Sequence, residues 1–250
     1  MKETNLNNFF LQHARVALAF SGGVDSAYLL YAAKSCGVQV KAYFVKSQFQ
    51  PDFELEDARR IAEELSTELV IISCDVLAEK KIRENPVDRC YHCKNKIFSK
   101  ILEAAAADGF DTVIDGTNAS DDAGDRPGMR ALAEMKVLSP LRICGITKEE
   151  VRARSKEAGL FTWDKAAYAC LATRVPTGES ISEEKLQKIY GAEKILHQMG
   201  FSDFRVRLYH GAARLQLPGK ELERAAVLRK EIREKLKPHF KKIFLDLEER

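Results

Sequence analysis

One six-residue turn, Ser21-Gly22-Gly23-Val24-Asp25-Ser26, lies where a short apolar run gives way to a run of helix formers. Before it, Val16-Ala17-Leu18-Ala19-Phe20 has the length and unbroken apolarity of a strand buried on both faces. After it, residues 27–35 favour a helix, and Gly37 is placed to end it. A strand that passes through two glycines straight into a helix commits the chain to a crossover and a parallel neighbour. The amides of such a turn converge beside the positive end of the helix and form an anion site from main chain. The hydroxyls of Ser21 and Ser26 add donors, and Asp25 can hold a divalent cation against phosphate oxygens.

The unit then repeats. Strands are predicted over residues 38–45, 68–73 and 111–115, with a brief fifth at 136–138. Between them, residues 52–65 carry a helical apolar stripe (Leu55, Ala58, Ile61, Ala62, Leu65), and residues 93–107 and 129–135 also read as helices. A further helix opens at Thr147, with Glu150 in capping-box position, and stops at Gly159. The pattern predicts an α/β fold, a doubly wound parallel sheet with helices on both faces. Ligands of such sheets sit beyond the carboxyl ends of the strands. The turn after strand one and Gly116-Thr117-Asn118 after strand four would then face one crevice. Backbone groups near Phe44 and Val45, at the end of strand two, are placed to read a base. The loop after Asn118 continues through Asp121, Asp122, Asp125, Arg126, Pro127 and Gly128, and Arg126 can grip a phosphate or carboxylate bidentately.

Around Val175-Pro176-Thr177-Gly178 the pattern changes. A long helix over 182–199 precedes two alternating runs, 204–208 and 214–217, that flank a turn at His210-Gly211-Ala212. A helix over 220–236 and a strand over 242–247 follow. The expected organisation is residues 1–175 as the sheet domain and 176–250 as a small α+β domain.

The chain has 250 residues and a net charge of +3, with acids and bases interspersed, so it lacks the strong basic face of a dedicated nucleic-acid binder. No apolar run is long enough for a membrane span. The polar, Asn-rich start is unlike a signal peptide, which makes a cytoplasmic location the default expectation. Six cysteines in such a chain are not a disulfide framework. Cys90-Tyr91-His92-Cys93 with Lys94, expected in the loop after strand three, is too polar for core packing. Cys170 lies in Tyr168-Ala169-Cys170-Leu171-Ala172-Thr173-Arg174. Three such thiols suit an iron–sulfur cluster with one open iron, a nucleophile with a resolving pair, or a zinc site completed by His92. Cys36, Cys74 and Cys144 lie in apolar elements and read as small buried residues.

The turn differs in spacing from a Walker loop or a dinucleotide fingerprint. It resembles the PP-loop of ATP pyrophosphatases, enzymes with a HUP-like fold that cleave ATP to AMP and pyrophosphate while adenylating a substrate. Further motifs narrow the resemblance: Arg89-Cys90-Tyr91-His92-Cys93-Lys94, Asp115-Gly116-Thr117-Asn118 with Arg126-Pro127-Gly128, and Cys170-Leu171-Ala172-Thr173-Arg174 occur in the order seen in the LarE family. LarE proteins are ATP-dependent sulfur insertases of nickel-pincer nucleotide synthesis. They convert carboxylates of pyridinium-3,5-biscarboxylate mononucleotide to thiocarboxylates. The resemblance implies ATP and Mg2+ as cofactors, a small-molecule nucleotide as substrate and a homo-oligomer.

The family has two versions. In one, a lone cysteine matching Cys170 surrenders its own sulfur and becomes dehydroalanine. In the other, three cysteines hold a 4Fe-4S cluster carrying an extra sulfide, and Cys90, Cys93 and Cys170 match that version. Lys94, Arg205 and Arg207, with Glu193, match charged positions on the substrate side. Arg174 stands beside the reacting cysteine in the motif. By alternation alone Arg205 and Arg207 are equally an outward strand face.

The chemistry is coherent on its own terms. A carboxylate is a poor electrophile, and adenylation gives it a leaving group that a sulfur nucleophile can displace. Three other readings compete: a PP-loop tRNA thiolase, an ammonia-using AMP-forming synthetase, and a nucleotide sensor without turnover. The second has no need for three cysteines, and the first expects an RNA-binding module that the C-terminal residues do not suggest.

Overall fold

The computed structural model describes residues 2–121 and 127–249, with side chains from Leu6 onward. It divides into two compact units, Met1–Val76 with Asp88–Lys165, and Leu77–Val87 with Ala166–Arg250.

The first unit opens with α1 (Lys2–Gln12), then β1 (Arg15–Ala19), α2 (Val24–Ser35), β2 (Gln39–Lys46), α3 (Asp52–Glu64) and β3 (Leu69–Ser73). The short α4 (Lys80–Arg83) falls in the second unit. The first resumes with α5 (Arg89–Ala107), β4 (Val113–Asp115), α6 (Pro127–Glu134), α7 (Pro140–Ile143) and α8 (Lys148–Glu157). The sheet is parallel in the order β3-β2-β1-β4, the α/β architecture that the turn predicts. Strand alternation divides its apolar residues between two layers. Leu18, Ala42, Phe44 and Ile114 join the core built with α1, α2 and α8. Tyr43 points to the other face, where its hydroxyl donates to Asp108 at the end of α5 (2.7 Å). Burial and that bond push the Tyr43 phenol above its usual range.

Several features of the first unit differ from the sequence reading. The polar start of the chain is α1, whose Leu6, Phe9 and Phe10 are core residues spaced for one helical face. The fifth strand contracts to a single parallel bridge, Ile114 to Leu138, because α6 and α7 leave only a few residues between them. α5 starts at Arg89 and not at residue 93, so the Cys90–Cys93 pair lies in its first turn and not in a loop. Cys36 is exposed, its thiol donating to Asn7 Oδ1, whereas Cys74 and Cys144 are buried as expected and burial raises both thiols.

In the second unit, α9 (Glu183–Gln198) is followed by β5 (Arg205–Tyr209), β6 (Ala212–Gln216), α10 (Gly219–Val227), α11 (Arg229–Leu236) and β7 (Ile243–Leu245). β5 and β6 form the antiparallel hairpin, and β7 adds to β6 in parallel, a small mixed sheet. The helix expected over 220–236 is two, parted at Leu228. Residues 77–87 belong here because Arg83 and Asn85 carbonyls accept from Ile181 and Gly178 (both 2.8 Å), and the Asn85 amide donates to Pro176 (2.8 Å). Among the described residues no helix is long and apolar enough to cross a membrane.

Phe10 is 1 % exposed in a helix that the composition of its segment conceals. Phe10→Ala leaves a cavity under α1 and is expected to cost about 3–5 kcal/mol, measured as a lower urea midpoint.

Candidate active site

The turn between β1 and α2 is held by two contacts of backbone on backbone. Gly22 has φ +70°, and a Cβ there would lie 2.9 Å from the amide nitrogen of Ala58 in α3. Gly116, after β4, has space for no Cβ either: it would lie 2.9 Å from the amide nitrogen of Ser26 in α2. Within the loop, the Ser21 and Ser26 hydroxyls lie 3.2 Å apart, Ser26 Oγ donates to the Gly23 carbonyl (3.2 Å), and the Gly23 amide donates to Ser21 Oγ (3.4 Å). The amides of Val24, Asp25 and Ser26 head α2, where geometry denies them an intrahelical acceptor. An anion of phosphate shape and charge is the complement of this cradle.

Asp25 stands at its rim. Its Oδ1 accepts from the Asn118 amide (3.1 Å), and its Oδ2 pairs with Lys148 Nζ. Asn118 is 3 % exposed and pinned in turn: Asp121 accepts from its backbone N–H (2.9 Å), and its own Oδ1 accepts from the Ser120 amide (2.8 Å). Asp115 anchors the start of this loop, accepting from Thr117 Oγ1 and Ser139 Oγ (both 2.6 Å). Loop one and the Gly116-Thr117-Asn118 segment therefore meet, as the crevice rule predicts. Arg126, with Asp122 and Asp125, lies outside the described residues. A carboxylate at a phosphate cradle has the donor chemistry for Mg2+, which takes carboxylate and phosphate oxygens. Sequence reasoning missed Lys148. The signal for it was the Thr147–Glu150 capping box, which the structure contains in full, because the box sets a helix start and Lys148 occupies its first position.

Phe44 and Val45 lie in β2, buried to 1 % and 7 % exposure. The Phe44 ring is committed to the core, so only main chain remains to read a base there. Tyr43 accepts from the Phe20 amide (2.9 Å) just past the last β1–β2 pair, Ala19 with Tyr43. Two residues on, alternation turns the Val45 N–H and C=O to that same side, beyond the end of β1.

Cys90 is exposed and Cys93 half-buried in the first turn of α5, and a spacing of three residues puts their sulfurs on one helix face. The Arg89 guanidinium donates toward Cys90 Sγ (3.4 Å). His92 is engaged by Asp88, 3.2 Å away. Lys94 extends from the same turn with its stem against Gly128 of α6. Among the described residues no group of three or more Cys, His, Asp and Glu side chains is arranged to hold a metal ion. The Cys90–Cys93 pair has thiol chemistry suited to iron.

In the second unit Cys170 is half-buried and caps a single 3-10 turn, Leu171–Arg174. Arg174 ends that turn at 1 % exposure, its Nε donating to Glu193 of α9 (2.9 Å). Glu193 also accepts from the Val206 amide (3.0 Å) and the Tyr168 hydroxyl. Arg205 is buried, not outward, and donates to the Ala167 carbonyl. Arg207 donates to the Thr173 carbonyl (2.7 Å) and to Gln216. Arg174, Arg205 and Arg207 gather around Glu193, and Asp246 also acts on Arg207. Burial, and then the Arg174 charge, push Arg205 down to about 10. Arg207 is lowered by the same two causes. An excess of buried positive charge favours an anionic ligand.

A parallel sheet whose first strand turns through Ser-Gly-Gly-Val-Asp-Ser onto a helix start defines a PP-loop protein of the α/β class. The family model of the queuosine biosynthesis protein QueC matches residues 15–124, the stretch that carries the turn and the Gly116 loop. The pyridinium-3,5-bisthiocarboxylic acid mononucleotide synthase of Lactiplantibacillus plantarum is 34% identical over 82% of this chain and 75% of its own. An uncharacterized Synechocystis protein is 37% identical over 89% of this chain and 83% of its own. A tRNA-specific 2-thiouridylase of Thermotoga petrophila is more distant, 27% identical over 58% of this chain and 52% of its own. The chain belongs to the LarE family, to which that Lactiplantibacillus synthase belongs.

Two variants test the site's construction. Gly22→Ala forces a side chain into the left-handed region and against α3, and is expected to cost at least about 1–3 kcal/mol and to abolish ATP binding, read by thermal unfolding and calorimetry. Glu193→Gln removes the carboxylate that buried Arg174 is paired with and is expected to destabilise by about 3–5 kcal/mol, read by urea unfolding. A loss below 1 kcal/mol would mean that the arginines hold each other through main chain alone.

Proposed function

We propose that this chain is an ATP-dependent, sulfur-inserting synthase acting on pyridinium-3,5-biscarboxylate mononucleotide, in nickel-pincer nucleotide synthesis. The observation that carries the reading is the phosphate cradle at 21–26, closed by Gly22 and Gly116 with Asp25 at its rim, in a chain of the LarE family.

ATP sits with its outer phosphates on the amides of Val24, Asp25 and Ser26 and its adenine against the Val45 main chain. Asp25 is the residue to hold Mg2+, which offsets phosphate charge when bound. A substrate carboxylate oxygen attacks the α-phosphorus, the bond to the β-phosphate breaks, and pyrophosphate leaves into the cradle. The acyl-adenylate has an electrophilic carbon, and a sulfur nucleophile that adds there expels AMP with the former carboxylate oxygen. Arg174, Arg205 and Arg207, supported by Lys94, bind the substrate's anionic groups.

Two sulfur sources are open to this chain. Cys90, Cys93 and Cys170 are the residues to hold a 4Fe-4S cluster, which supplies a transferable sulfide when bound. In the sacrificial route Cys170 itself adds to the acyl carbon. Loss of its α-proton then breaks the Cβ–Sγ bond, releasing thiocarboxylate and leaving dehydroalanine. We favour the first, because Cys90 and Cys93 have no task in the second. The same reading makes the chain a cytoplasmic homo-oligomer.

The test is anaerobic turnover with ATP, Mg2+ and the biscarboxylate mononucleotide. Pyrophosphate release is expected to depend on the added carboxylate, and the product to gain mass for oxygen-to-sulfur exchange. Asp25→Ala is expected to lower that release by about 100-fold or more with the fold intact. Release at the parental rate would remove Asp25 from the mechanism. Iron and sulfide analysis of the same preparation, and the mass of the 170-containing peptide after turnover, separate the two sulfur sources.

A further inference from the structure

Lys148 is held at the phosphate cradle by features that helix stability does not explain. It is the first residue of α8, fixed there by the Thr147–Glu150 capping box and by a hydrogen bond from its own amide to Ser120 Oγ (2.9 Å). From that position its ammonium reaches across to Asp25, in the first turn of α2. A cation beside the amino end of one helix is disfavoured by the helix dipole, and Lys148 lies beside two such ends. The pair is also partly open to solvent, with side chains 32% and 24% exposed, a setting in which an ion pair adds little to stability. The dipole term is offset once a polyanion enters the cradle, because the ammonium then meets negative charge at both helix ends.

An ammonium has three N–H donors, and Asp25 takes one. Among the described residues Nζ has no other acceptor, so its remaining donors are available to an anion in the cradle. We infer that Lys148 is a phosphate-binding residue for ATP, and that Asp25 keeps its ammonium at the rim of the cradle until the triphosphate arrives. Asp25 would be the residue to hold Mg2+, and with its carboxylate so engaged Lys148 would turn to the phosphates and stay with the departing pyrophosphate. This gives Asp25 two successive partners and Lys148 two successive anions. The inference rests on the ATP-binding reading of the cradle given above.

The experiment compares ATP and AMP binding by calorimetry, without added metal and then with Mg2+. AMP lacks the outer phosphates and reports the adenosine end of the site alone. Lys148→Met is expected to weaken ATP binding at least tenfold and to change AMP binding less than twofold. Lys148→Arg, which keeps the charge, is expected to retain ATP binding within about threefold. Lys148→Met strands the Asp25 carboxylate, so the double variant Asp25→Asn with Lys148→Met is measured without metal, where Asp25 has no cation to hold. It is expected to keep the ATP-specific loss. Recovery of parental ATP affinity in the double variant would show that Lys148 merely neutralises Asp25, and would overturn the inference. Equal losses for ATP and AMP, or no loss, would overturn it as well. If the parent protein binds neither nucleotide, the ATP-binding reading itself fails. That outcome is distinct from a parent that binds both while the lysine variant does not discriminate.

Discussion

Everything in the first unit depends on main chain meeting main chain at two glycines. Gly22 presses the turn against α3, and Gly116 presses the loop after β4 against the start of α2. No side chain fits between these segments, so the loop cannot relax outward without separating three elements of the sheet's carboxyl edge. The anion cradle is therefore rigid before any ligand arrives, and its donors require no reorganisation. The hydroxyls of Ser21 and Ser26 add to this by bonding within the loop, where they hold the turn in shape.

Charge is placed differently in the two units. Around the cradle the fixed positive potential comes from amides, and the Asp25 carboxylate at its rim is balanced by Lys148. The second unit uses full charges, with Arg174, Arg205 and Arg207 set around Glu193 and Asp246 acting on Arg207. Burial of guanidinium groups is costly, and the cost is offset here by carbonyls at Ala167, Ala169 and Thr173 that accept from them. A core of this kind gains little as a stability device, because an apolar replacement of similar volume would serve as well. Its retention is better explained by an anion that the arginines receive.

The sequence made the sheet legible because parallel strands buried on both faces are apolar throughout and the turn chemistry at 21–26 and 116–118 is specific. It hid α1, since Leu6, Phe9 and Phe10 are few among asparagines and only their helical spacing reveals a buried face. Cys90 and Cys93 looked like loop residues because charged and aromatic neighbours mask a helix start with no side-chain cap. Arg205 shows the limit of alternation as a guide. Its strand position is outward by pattern, yet Tyr168 and the 166–174 segment of the same unit cover it. Lys148 was missed for another reason: the capping box marks it as the start of a helix, where a lysine reads as a solvated charge, and only the fold brings it to Asp25.

These placements separate what is general in the site from what is particular. A cradle of amides suits any phosphate chain, and strand-edge main chain of the kind proposed at Val45 suits any purine edge, so neither selects the acceptor to be adenylated. Selection needs side chains of fixed geometry, and those available are the arginine cluster around Glu193 and the thiols at 90, 93 and 170. A fold can lend the same nucleotide cradle to base thiolation or to carboxylate thiolation while side chains of this second kind change. The physical difference is in the electrophile. A base carbonyl brings no charge to the site, whereas two carboxylates and a phosphate bring several negative charges with one small substrate. Buried Arg174 and Arg205 with half-buried Arg207 suit an anionic substrate and would be a poor surface for an uncharged ring edge.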